Sequence, residues 1–336
     1  DNVTLRGLGI TGAQYGIFAG NTADSDRLTI VDSWVYANGV RGIELQSSND
    51  QAVLSGNRIW SNASGGVSLS GVEALVDGNE VFRNSSTGVD INGARSRILD
   101  NDIYGNTGRG LTVNGDSAPG AVKGTASGNR VCANGGGGNG GGCGEVRGNR
   151  VFSNGYGIYG GWGVIVQGNE VWSNSNYGID IYYGSAYARD NLVFGNGDIG
   201  LYVYSATATG NRVWANGGAG IYGVYGAEIA HNRSYGNSGA GIQLDAWDVW
   251  VHNNVIEANG GPGVLLNGTS FSSTYPRVEN NTIAATGSTN AITVQGGGTA
   301  ALLRNNILDV RGSGHGIYVD SNSQRGFISD HNLFMV

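Results

Sequence analysis

The sequence predicts an all-β solenoid, a parallel β-helix, and three observations support the prediction. A six-residue phrase recurs along most of the 336 residues: Asn, any residue, an aliphatic, usually an aromatic, a small residue and Asn. Successive copies begin 20–28 residues apart. No window of about ten residues has helical periodicity, and the segments between copies are rich in Val, Ile, Gly and Asn. A period this regular indicates one structural unit stacked on the next.

The repeated asparagines are expected to be structural. The first clear copy of the phrase is Asn-Arg-Ile-Trp-Ser-Asn at 57–62. Later copies begin at Asn79, Asn101, Asn129, Asn149, Asn169, Asn191, Asn211, Asn232 and Asn254. An Asn side chain can satisfy backbone groups left unpaired at a bend, and it tolerates the left-handed conformation. Stacked copies can also bond amide to amide along the axis.

One repeat shows how three short strands fit into 20–22 residues. Residues 157–160, 163–168 and 169–174 form three extended runs. We expect each strand to pair in parallel with its copy in the next repeat, because no hairpin signature is present. Alternation predicts which aliphatic residues point inward, for example Ile179 and Ile181 after a glycine, or Val171 after a ladder asparagine. About 13 rungs are expected, forming a single domain over residues 1–336.

Composition and charge narrow the function classes. The chain has 62 Gly but only 3 Pro, which is typical neither of collagen nor of a Pro-rich linker. The formal net charge is −7 and Lys123 is the only lysine, so a nucleic-acid partner is not expected. No apolar run reaches the roughly 18 residues of a membrane span, so membrane insertion is not expected either.

The chain begins as if in the middle of a solenoid. Its first residues, Asp-Asn-Val-Thr-Leu, are typical of a strand, and neither a signal peptide nor a capping element precedes them. The open ends of a solenoid need to be covered. We therefore expect flanking domains and a segment excised from, or processed out of, a longer secreted protein.

The two cysteines, Cys132 and Cys143, bracket a glycine-rich run. One interpretation is a disulfide that closes an irregular loop over 132–143, which would indicate an oxidising compartment and add about 2–3 kcal/mol of stability. The other is two free thiols. Residues 135–142 lack the Gly-Lys-Ser/Thr ending of a phosphate loop, so we expect them to bulge out of an irregular repeat.

Outward positions of the glycine-led strands give the strongest signal for a site. They form two columns whose middle holds five tyrosines, with Asp180 among them and Asp245 nearby. Flat rings beside carboxylates and amides suit sugars, and a Tyr–carboxylate pair can act as acid and base. The predicted substrate-binding residues are Tyr159, Tyr182, Tyr204, Tyr222, Gln243, Asp90 and Glu44; the catalytic candidates are Asp180, Asp245 and Tyr202. The alternative is ordinary strand chemistry, since Tyr favours strands and stacks across them.

Two further columns follow the ladder asparagines. An aromatic stripe lies three residues on, at Trp60, Phe82, Tyr104, Cys132, Phe152, Trp172, Phe194, Trp214 and Tyr235. We favour burial of this stripe against a turn over an exposed glycan track or contact surface, because so long an exposed ladder is unusual. The column one residue on mixes charges at Arg58, Glu80, Asp102, Arg130, Arg150, Glu170, Arg212 and Arg233. It is expected to be a solvated ladder of weak ion pairs. The alternative is a subset of arginines that binds an anionic glycan.

Metal and cofactor signals are weak. His231 and His252 lie close to ladder asparagines of successive repeats and are placed to stack on each other. No Cys/His spacing typical of zinc occurs, so neither a metal nor another cofactor is expected. Calcium bound by Asp and backbone carbonyls has no reliable signature and stays open.

The phrase Gly-Asn-Arg-Val-Trp-Ala-Asn-Gly-Gly-Ala-Gly-Ile-Tyr at 210–222 resembles the right-handed parallel β-helix repeat of the pectate-lyase-like superfamily. That group includes carbohydrate-binding and sugar-hydrolysis repeat domains. The resemblance covers nearly all of the chain and implies a single-stranded right-handed β-helix. The last repeats, at 303–308 and 327–334, are similar to the ends of β-helix modules in large bacterial secreted proteins, which implies a secreted or cell-surface location.

The enzyme motifs of the superfamily are mostly missing. The Asn-Thr-Asp-Gly and Asp-Asp motifs of polygalacturonase-like hydrolases do not occur, and no Pro has the neighbouring His of the epimerase-like Asp-Pro-His run. Lys123 lies in an irregular stretch, so a Lys base for a lyase is not expected, whereas an Arg base stays open. Two hypotheses follow: an extracellular polysaccharide-interacting β-helix that could be a lyase or glycoside hydrolase, and a non-catalytic structural or adhesive segment of a bacterial surface protein.

Overall fold

The computed structural model describes residues 2–114, 124–141, 144–245, 248–268, 275–297 and 300–335. They fall into two compact units, Asp1–Glu170 and Val171–Val336, which are described separately. Within the described residues each unit contains only short strands, all paired in parallel, in three sheets called A, B and C. The predicted fold class, a right-handed parallel β-solenoid, is confirmed, with about 14 turns against the 13 expected. None of the described residues forms a helix that could span a membrane.

Strands of the first unit repeat in the order A, B, C. Sheet A contains β1 (Thr4–Arg6), β4 (Thr29–Val31), β7 (Val53–Ser55), β10 (Leu75–Asp77), β13 (Arg97–Leu99), β16 (Thr125–Ser127), β19 (Glu145–Arg147) and β22 (Ile165–Gln167). Sheet B contains β2 (Gly9–Thr11), β5 (Trp34–Tyr36), β8 (Arg58–Trp60), β11 (Glu80–Phe82), β14 (Asp102–Tyr104), β17 (Arg130–Cys132) and β20 (Arg150–Phe152). Sheet C contains β3 (Tyr15–Ala19), β6 (Arg41–Leu45), β9 (Val67–Leu69), β12 (Val89–Ile91), β15 (Leu111–Val113), β18 (Gly137–Gly141) and β21 (Tyr156–Gly161).

The second unit repeats the same order, and β23 (Glu170–Trp172) includes the boundary. Sheet A contains β25 (Tyr187–Arg189), β28 (Thr207–Thr209), β31 (Glu228–Ala230), β34 (Trp250–His252), β37 (Arg277–Glu279), β40 (Leu302–Arg304) and β43 (Ile328–Asp330). Sheet B contains β26 (Leu192–Phe194), β29 (Arg212–Trp214), β32 (Arg233–Tyr235), β35 (Val255–Glu257), β38 (Thr282–Gly287), β41 (Ile307–Gly312) and β44 (Leu333–Met335). Sheet C contains β24 (Ile179–Tyr182), β27 (Leu201–Tyr204), β30 (Ile221–Val224), β33 (Ile242–Leu244), β36 (Val264–Asn267), β39 (Ile292–Gln295) and β42 (Ile317–Val319).

The core of each unit consists of the aliphatic residues that alternation places inward. Ile179, Ile181 and Val171 are fully buried, and equivalent positions stack on one another through the parallel register. Stacking of Val, Ile and Leu from strand to strand removes these side chains from water. Burial of each side chain stabilises the fold by roughly 1.5–3 kcal/mol. Ile317 and Val319, also predicted to point inward, are only half-buried.

The asparagine ladders bond as predicted. In the first unit the side-chain amide of Asn101 donates to the Asn129 side-chain oxygen at 2.9 Å and to the Val76 carbonyl at 2.9 Å. In the second unit Asn211 donates to the Asn232 side chain at 2.9 Å and to the Ala188 carbonyl at 2.9 Å. Each buried amide thus donates a hydrogen bond to a backbone carbonyl and a second one to the asparagine of the next repeat.

The glycine-rich run does not bulge outward as a loop. Residues 137–141 form β18, which pairs with β15 and β21 of sheet C. The prediction was wrong for these residues because parallel pairing uses backbone groups only, so a strand can form without the apolar side chains that reveal it in the sequence. Cys132 is buried in β17. Cys143 lies outside the described residues, so the disulfide stays a prediction.

β18 also places a polar side chain in the core. Asn139 pairs in register with Leu111 on one side and Ile158 on the other, and it is fully buried. Its side-chain amide has no hydrogen-bond partner among the described residues. An unsatisfied buried amide costs about 1–3 kcal/mol.

Candidate functional site

The outer surface of sheet C carries most of the residues predicted from the sequence. In the first unit the paired positions run Glu44, Ser68, Asp90, Thr112, Gly140 and Tyr159. In the second unit they run Asp180, Tyr202, Tyr222 and Gln243. The predicted stacking of these outward positions is therefore confirmed within each unit. The positions define two surfaces, one in each unit.

We name these surfaces by their composition. The polar face of the first unit consists of Arg41, Glu44, Asp90, Asn92, Arg109, Thr112, Asn114, Tyr156 and Tyr159. The tyrosine face of the second unit consists of Tyr177, Asp180, Tyr182, Tyr183, Tyr202, Tyr204, Tyr222, Tyr225, Gln243 and Asp245. Of the five tyrosines expected to form one patch, four lie on the tyrosine face and Tyr159 belongs to the polar face.

One row of the tyrosine face is a ring stack. Tyr177 and Tyr202 stack with ring centroids 5.8 Å apart, and Tyr202 and Tyr222 stack at 5.2 Å. Self-stacking across strands, the alternative expected from strand chemistry, is thus confirmed here. Because the rings cover one another's faces, this row presents ring edges rather than ring faces at the surface.

The row ends in a hydrogen-bonded carboxylate. The Tyr222 hydroxyl donates to Asp245, and the Gln243 amide donates to both Asp245 carboxylate oxygens at 3.3 Å. Burial, followed by the bond to Asp245, raises the pKa of Tyr222 above its ordinary value. Tyr222 therefore stays protonated at neutral pH and keeps Asp245 fixed in place.

The second row of the tyrosine face presents its rings at steep angles. Tyr183 contacts Tyr182 edge-on at 5.4 Å and Tyr204 at 4.8 Å, and Tyr204 meets Tyr225 at 5.0 Å with a 50° tilt. Tyr183 and Tyr225 are 41% and 42% exposed. Both directly follow a sheet C strand and have positive φ angles of 61° and 48°. The same left-handed conformation recurs at turns of other repeats, for example at Arg83 and Ala215, so it belongs to the turns of the solenoid and is not specific to this face.

Asp180 is the most perturbed carboxyl of the tyrosine face. Burial raises its pKa to about 6. Its register partner on the next strand is Tyr202, whose own pKa is raised by burial and then by the charge of Asp180. A carboxyl with a raised pKa beside a phenol is a candidate acid–base pair.

Asp180 and Asp245 do not form a carboxylate pair of the glycosidase type. Three strand spacings separate β24 from β33, which places these two residues about 14 Å apart along the sheet. Hydrolases need their two carboxyl groups roughly 5–10 Å apart. The two candidates therefore cannot share one glycosidic bond.

The polar face contains a cleft of about 630 Å³. Its wall includes Asp90, Asn92, Arg109, Asn114 and Tyr156. Burial raises the pKa of Asp90, while its bond to Asn92 and the nearby charges of Arg41 and Arg109 oppose the rise. Asn114 donates to Asn92 at 2.8 Å, so the wall is a connected set of hydrogen-bonding groups.

The glycine strand shapes this cleft. Gly140 stands between Thr112 and Tyr159 in the outward column, where a side chain is missing. The Arg109 guanidinium lies beside this gap and over the Tyr159 ring, 5.9 Å from its centroid. Glu44, predicted to bind substrate, accepts hydrogen bonds from Arg41 and Gln46, both at 3.2 Å.

Sequence reasoning missed several residues of these faces. Tyr183 and Tyr225 lie on turns just past the strands, and Tyr177 lies before one, so alternation along the strand does not assign them. In the first unit Trp162, 65% exposed with φ of 36°, also directly follows a sheet C strand. The sequence does carry one signal for these residues. At the position directly after a sheet C strand, most repeats have Gly, Ser, Asn or Asp, whereas these repeats have an aromatic residue.

The aromatic stripe on sheet B is half-buried. In the first unit Tyr36, Trp60, Phe82 and Tyr104 stack with near-parallel rings 4.5–5.7 Å apart. In the second unit Trp172, Phe194, Trp214 and Tyr235 stack at 4.4–5.8 Å. Arginines lie over several rings, among them Arg58 and Arg212. The rings therefore bury one another to a large degree, so neither deep burial against a turn nor a fully exposed track describes the stripe.

The charged column beside this stripe forms the expected ion pairs. Arg58 pairs with Glu80, and Arg130 pairs with Asp102 at 2.6 Å. All four side chains are substantially exposed, so each pair contributes little to stability. His231 and His252 meet edge-to-face at 5.9 Å, not as parallel rings. Among the described residues no group of three or more His, Cys, Asp or Glu could hold a metal ion.

Comparison with known proteins supports the fold. Residues 204–283 match the family model described as right handed beta helix region, and residues 1–135 match periplasmic copper-binding protein (NosD). The A-modules of two Azotobacter vinelandii mannuronan C-5 epimerases have a similar structure. AlgE6 is 17% identical with a TM-score of 0.60, covering 92% of this chain and 90% of its own; AlgE4 is 15% identical with a TM-score of 0.59, covering 90% and 91%. No curated protein matches the chain.

The copper of the NosD description does not fit the residues it covers. Copper prefers His, Cys and Met ligands. Residues 1–135 contain no His, no Met and only one Cys, Cys132. No reaction step or site involving copper is therefore derived for this chain.

The family model, the similar structures and the parallel sheets agree. The chain therefore has the right-handed parallel β-helix fold that the sequence predicted.

Proposed function

We propose that the chain binds a polysaccharide on the tyrosine face. The observation that carries the proposal is the pair of exposed rings, Tyr183 and Tyr225, on a face that ends in a fixed carboxylate, Asp245, one strand beyond Tyr225. Exposed aromatic faces pack against the apolar C–H faces of sugars, while carboxylate and amide groups accept and donate hydrogen bonds to hydroxyls. The phenol oxygens of Tyr202 and Tyr222 add further hydrogen-bonding groups to the same face.

The charge of the face favours a neutral sugar chain. The residues that define the tyrosine face include two carboxyls, Asp180 and Asp245, and no Lys or Arg. A polymer of uronates would bring further negative charge to this surface without a cation to receive it. The epimerase modules with a similar fold are named for action on mannuronan, which supports a polysaccharide ligand in general but carries over no particular sugar.

A second candidate function is lyase chemistry at Asp180 and Tyr202. The observation that favours it is the raised pKa of Asp180, about 6, beside a phenol on the adjacent strand. One group would take the C5 proton of a uronate, the C4–O bond would break as a C4–C5 double bond forms, and the other group would protonate the departing oxygen. This reaction needs a uronate polymer, which the charge of the face disfavours, so it ranks below binding of a neutral chain. Hydrolase chemistry is less well supported, since Asp180 and Asp245 lie too far apart.

We infer a secreted or cell-surface location for this binding protein. A polysaccharide ligand is met mostly outside the cytoplasm, and the family model matching residues 1–135 is described as periplasmic. Fractionation of the native host would test the inference, and recovery of the chain in the cytoplasm alone would contradict it.

The proposal is tested on a panel of neutral and acidic polysaccharides with the full chain and its Tyr183→Ala/Tyr225→Ala variant. We expect binding to a neutral polymer, weakened about 100-fold in the double variant, because each lost aromatic contact costs roughly 1.4 kcal/mol. The matched control is Tyr187→Ala, since Tyr187 is equally exposed at 42% but lies on sheet A. Absorbance of unsaturated uronides on acidic polymers tests the lyase function in parallel.

The outcomes separate the hypotheses. Binding without turnover supports a carbohydrate-binding module, whereas turnover that is lost in Asp180→Asn supports the lyase. Binding that survives in the double variant contradicts the tyrosine face as the site. If no polymer binds, the chain is better described as a structural or adhesive segment.

A further inference from the structure

We infer a second binding site, on sheet A of the second unit, for a saccharide that carries a carboxylate. The site is a cleft of about 610 Å³, a size usual for small-ligand sites. It is lined by Asp248, Tyr275, Arg277, Ala300, Leu302, Gly326 and Ile328. It lies on a different sheet from the tyrosine face and does not depend on the function proposed there.

The cation of the cleft, Arg277, is held in place by an aromatic platform. Its guanidinium lies over the Trp250 ring, 4.6 Å from the centroid, with the two residues paired in register on β34 and β37. The Trp250 indole N–H donates to Glu279 at 3.0 Å, which fixes the plane of the ring. A planar guanidinium resting on a fixed indole loses little further freedom when a ligand binds.

A second layer of contacts supports the platform. His252 stacks on Trp250 with ring centroids 3.9 Å apart. One imidazole nitrogen of His252 is 3.1 Å from the Glu228 carboxylate, and the other is 3.0 Å from the Asn253 amide. His252 is almost fully buried, so its ring is locked by both packing and hydrogen bonds. Such support is what holds a binding group in its productive geometry.

The donors of Arg277 are left for a ligand. None of the carboxylates in the described part of the chain lies within ion-pair distance of its guanidinium, although Asp248 shares the cleft wall. In contrast, Arg233 on sheet B pairs with Glu257. A guanidinium matches a carboxylate in geometry and charge, so an acid group is its natural partner here.

The rest of the cleft suits a sugar ring. Leu302 and Ile328, paired in register on β40 and β43, form an apolar floor. Tyr275, 49% exposed, supplies an aromatic side wall with a hydroxyl. Asp248 can accept hydrogen bonds from sugar hydroxyls while the sugar carboxylate faces Arg277. This combination distinguishes a uronate-type sugar from a neutral one, which would leave Arg277 unmatched.

Calorimetric titration of the full chain with a galacturonate trimer tests the inference, with a neutral galactose trimer and benzoate as comparison ligands. We expect the acidic trimer to bind in the micromolar to millimolar range and Arg277→Gln to weaken it about tenfold or more. Leu302→Ala is expected to weaken it a few-fold through loss of the apolar floor. The matched control is Arg304→Gln, because Arg304 is exposed on the same sheet but does not line the cleft.

The two sites are told apart by the tyrosine variant. Tyr183→Ala/Tyr225→Ala should leave binding of the acidic trimer within about twofold of the unaltered chain. The inference is overturned if the acidic trimer does not bind, if a folded Arg277→Gln variant binds it unchanged, or if the neutral trimer binds equally well. Benzoate binding as tightly as the trimer would also overturn it, since a ring with an acid group would then suffice.

Discussion

The polar face and the tyrosine face both lie on sheet C and are built from the same kind of repeat, yet they offer different chemistry. The polar face combines Asp90 and Arg109 around a cleft floored in part by glycine. The tyrosine face combines stacked and tilted rings with Asp245, and no cation is among its defining residues. In both, most inward positions are buried aliphatic residues in parallel register, and Asn139 and Gly223 are exceptions.

The difference shows where function can vary in this fold. Inward residues and ladder asparagines are constrained by packing and by buried hydrogen bonds, so they repeat. Outward residues face solvent or a ligand, so each repeat can carry its own. Chemistry is therefore expected to change with outward residues while stability is set by the repeat.

The largest expected effect tests that division within the first unit. Asn101→Ala removes the bonds to the Asn129 side chain and the Val76 carbonyl and leaves buried groups unpaired. We expect a loss of about 3 kcal/mol or more in the free energy of unfolding, measured by chemical denaturation. Asn114→Ala, on the polar face, should change it by no more than about 0.5 kcal/mol. Equal effects of the two substitutions would break the distinction between scaffold and face.

Substitutions of two glycines in β18 test the same distinction between scaffold and polar face. A Cβ at Gly138 would lie 2.4 Å from Val151 and 2.6 Å from Asn154, whereas one at Gly140 would meet Arg109 at an ordinary 3.5 Å. We expect Gly138→Ala to destabilise the protein by about 2 kcal/mol. Gly140→Ala should be neutral or stabilising by up to about 1 kcal/mol. Thermal denaturation checks both, and similar melting temperatures would contradict the strand at 137–141.

The two half-buried aspartates differ in their response to pH. Asp180 has a folded pKa of about 6, above its unfolded value, so the folded state binds the proton more tightly. The contribution of Asp180 to stability is therefore most favourable below about pH 4 and is lost as pH rises through about 6. Asp180→Asn should leave stability unchanged at pH 3–4 and raise it by on the order of 1–2 kcal/mol at pH 8.

Asp90→Asn is the matched control for this pH effect. Arg41, Arg109 and Asn92 counter the burial of Asp90, so its substitution should give a smaller gain at pH 8. Denaturation curves at several pH values provide the test. A gain from Asp180→Asn that is independent of pH would show that burial of the charge is not its cause.

The smallest expected effect concerns Asn139 in the core beneath the polar face. Its amide has no partner among the described residues, and its register neighbours are Leu111 and Ile158. Replacing the unsatisfied amide with an apolar group of similar size should stabilise the protein. We expect Asn139→Leu to add about 1 kcal/mol to the free energy of unfolding. A destabilisation of that size would indicate that the amide is satisfied in solution.

Much of the fold could be predicted from the sequence because its signals repeat. Val171, Ile179 and Ile181 were placed in the core by alternation alone, and each is fully buried. The asparagine ladder was predicted from spacing, since a bend needs the same side chain in every repeat. β18 was not, because glycine leaves no alternating pattern and only backbone pairing reveals the strand.

The candidate sites were harder to predict, for geometric reasons. The sequence placed Tyr202 and Tyr222 in one column, but it could not show that their ring faces cover each other. Tyr183 and Tyr225 lie past the ends of strands, where side-chain direction depends on the turn and not on alternation. The platform under Arg277 brings together residues from three separate repeats, and only the register of sheet A joins them.

The crystal structure of the full chain with the neutral polysaccharide fragment that binds best would test the central claim most directly. The account predicts a sugar ring packed on Tyr183 or Tyr225, with a hydroxyl within hydrogen-bonding distance of Asp245. A sugar bound elsewhere, for example along the aromatic stripe of sheet B, with the tyrosine face vacant, would contradict it.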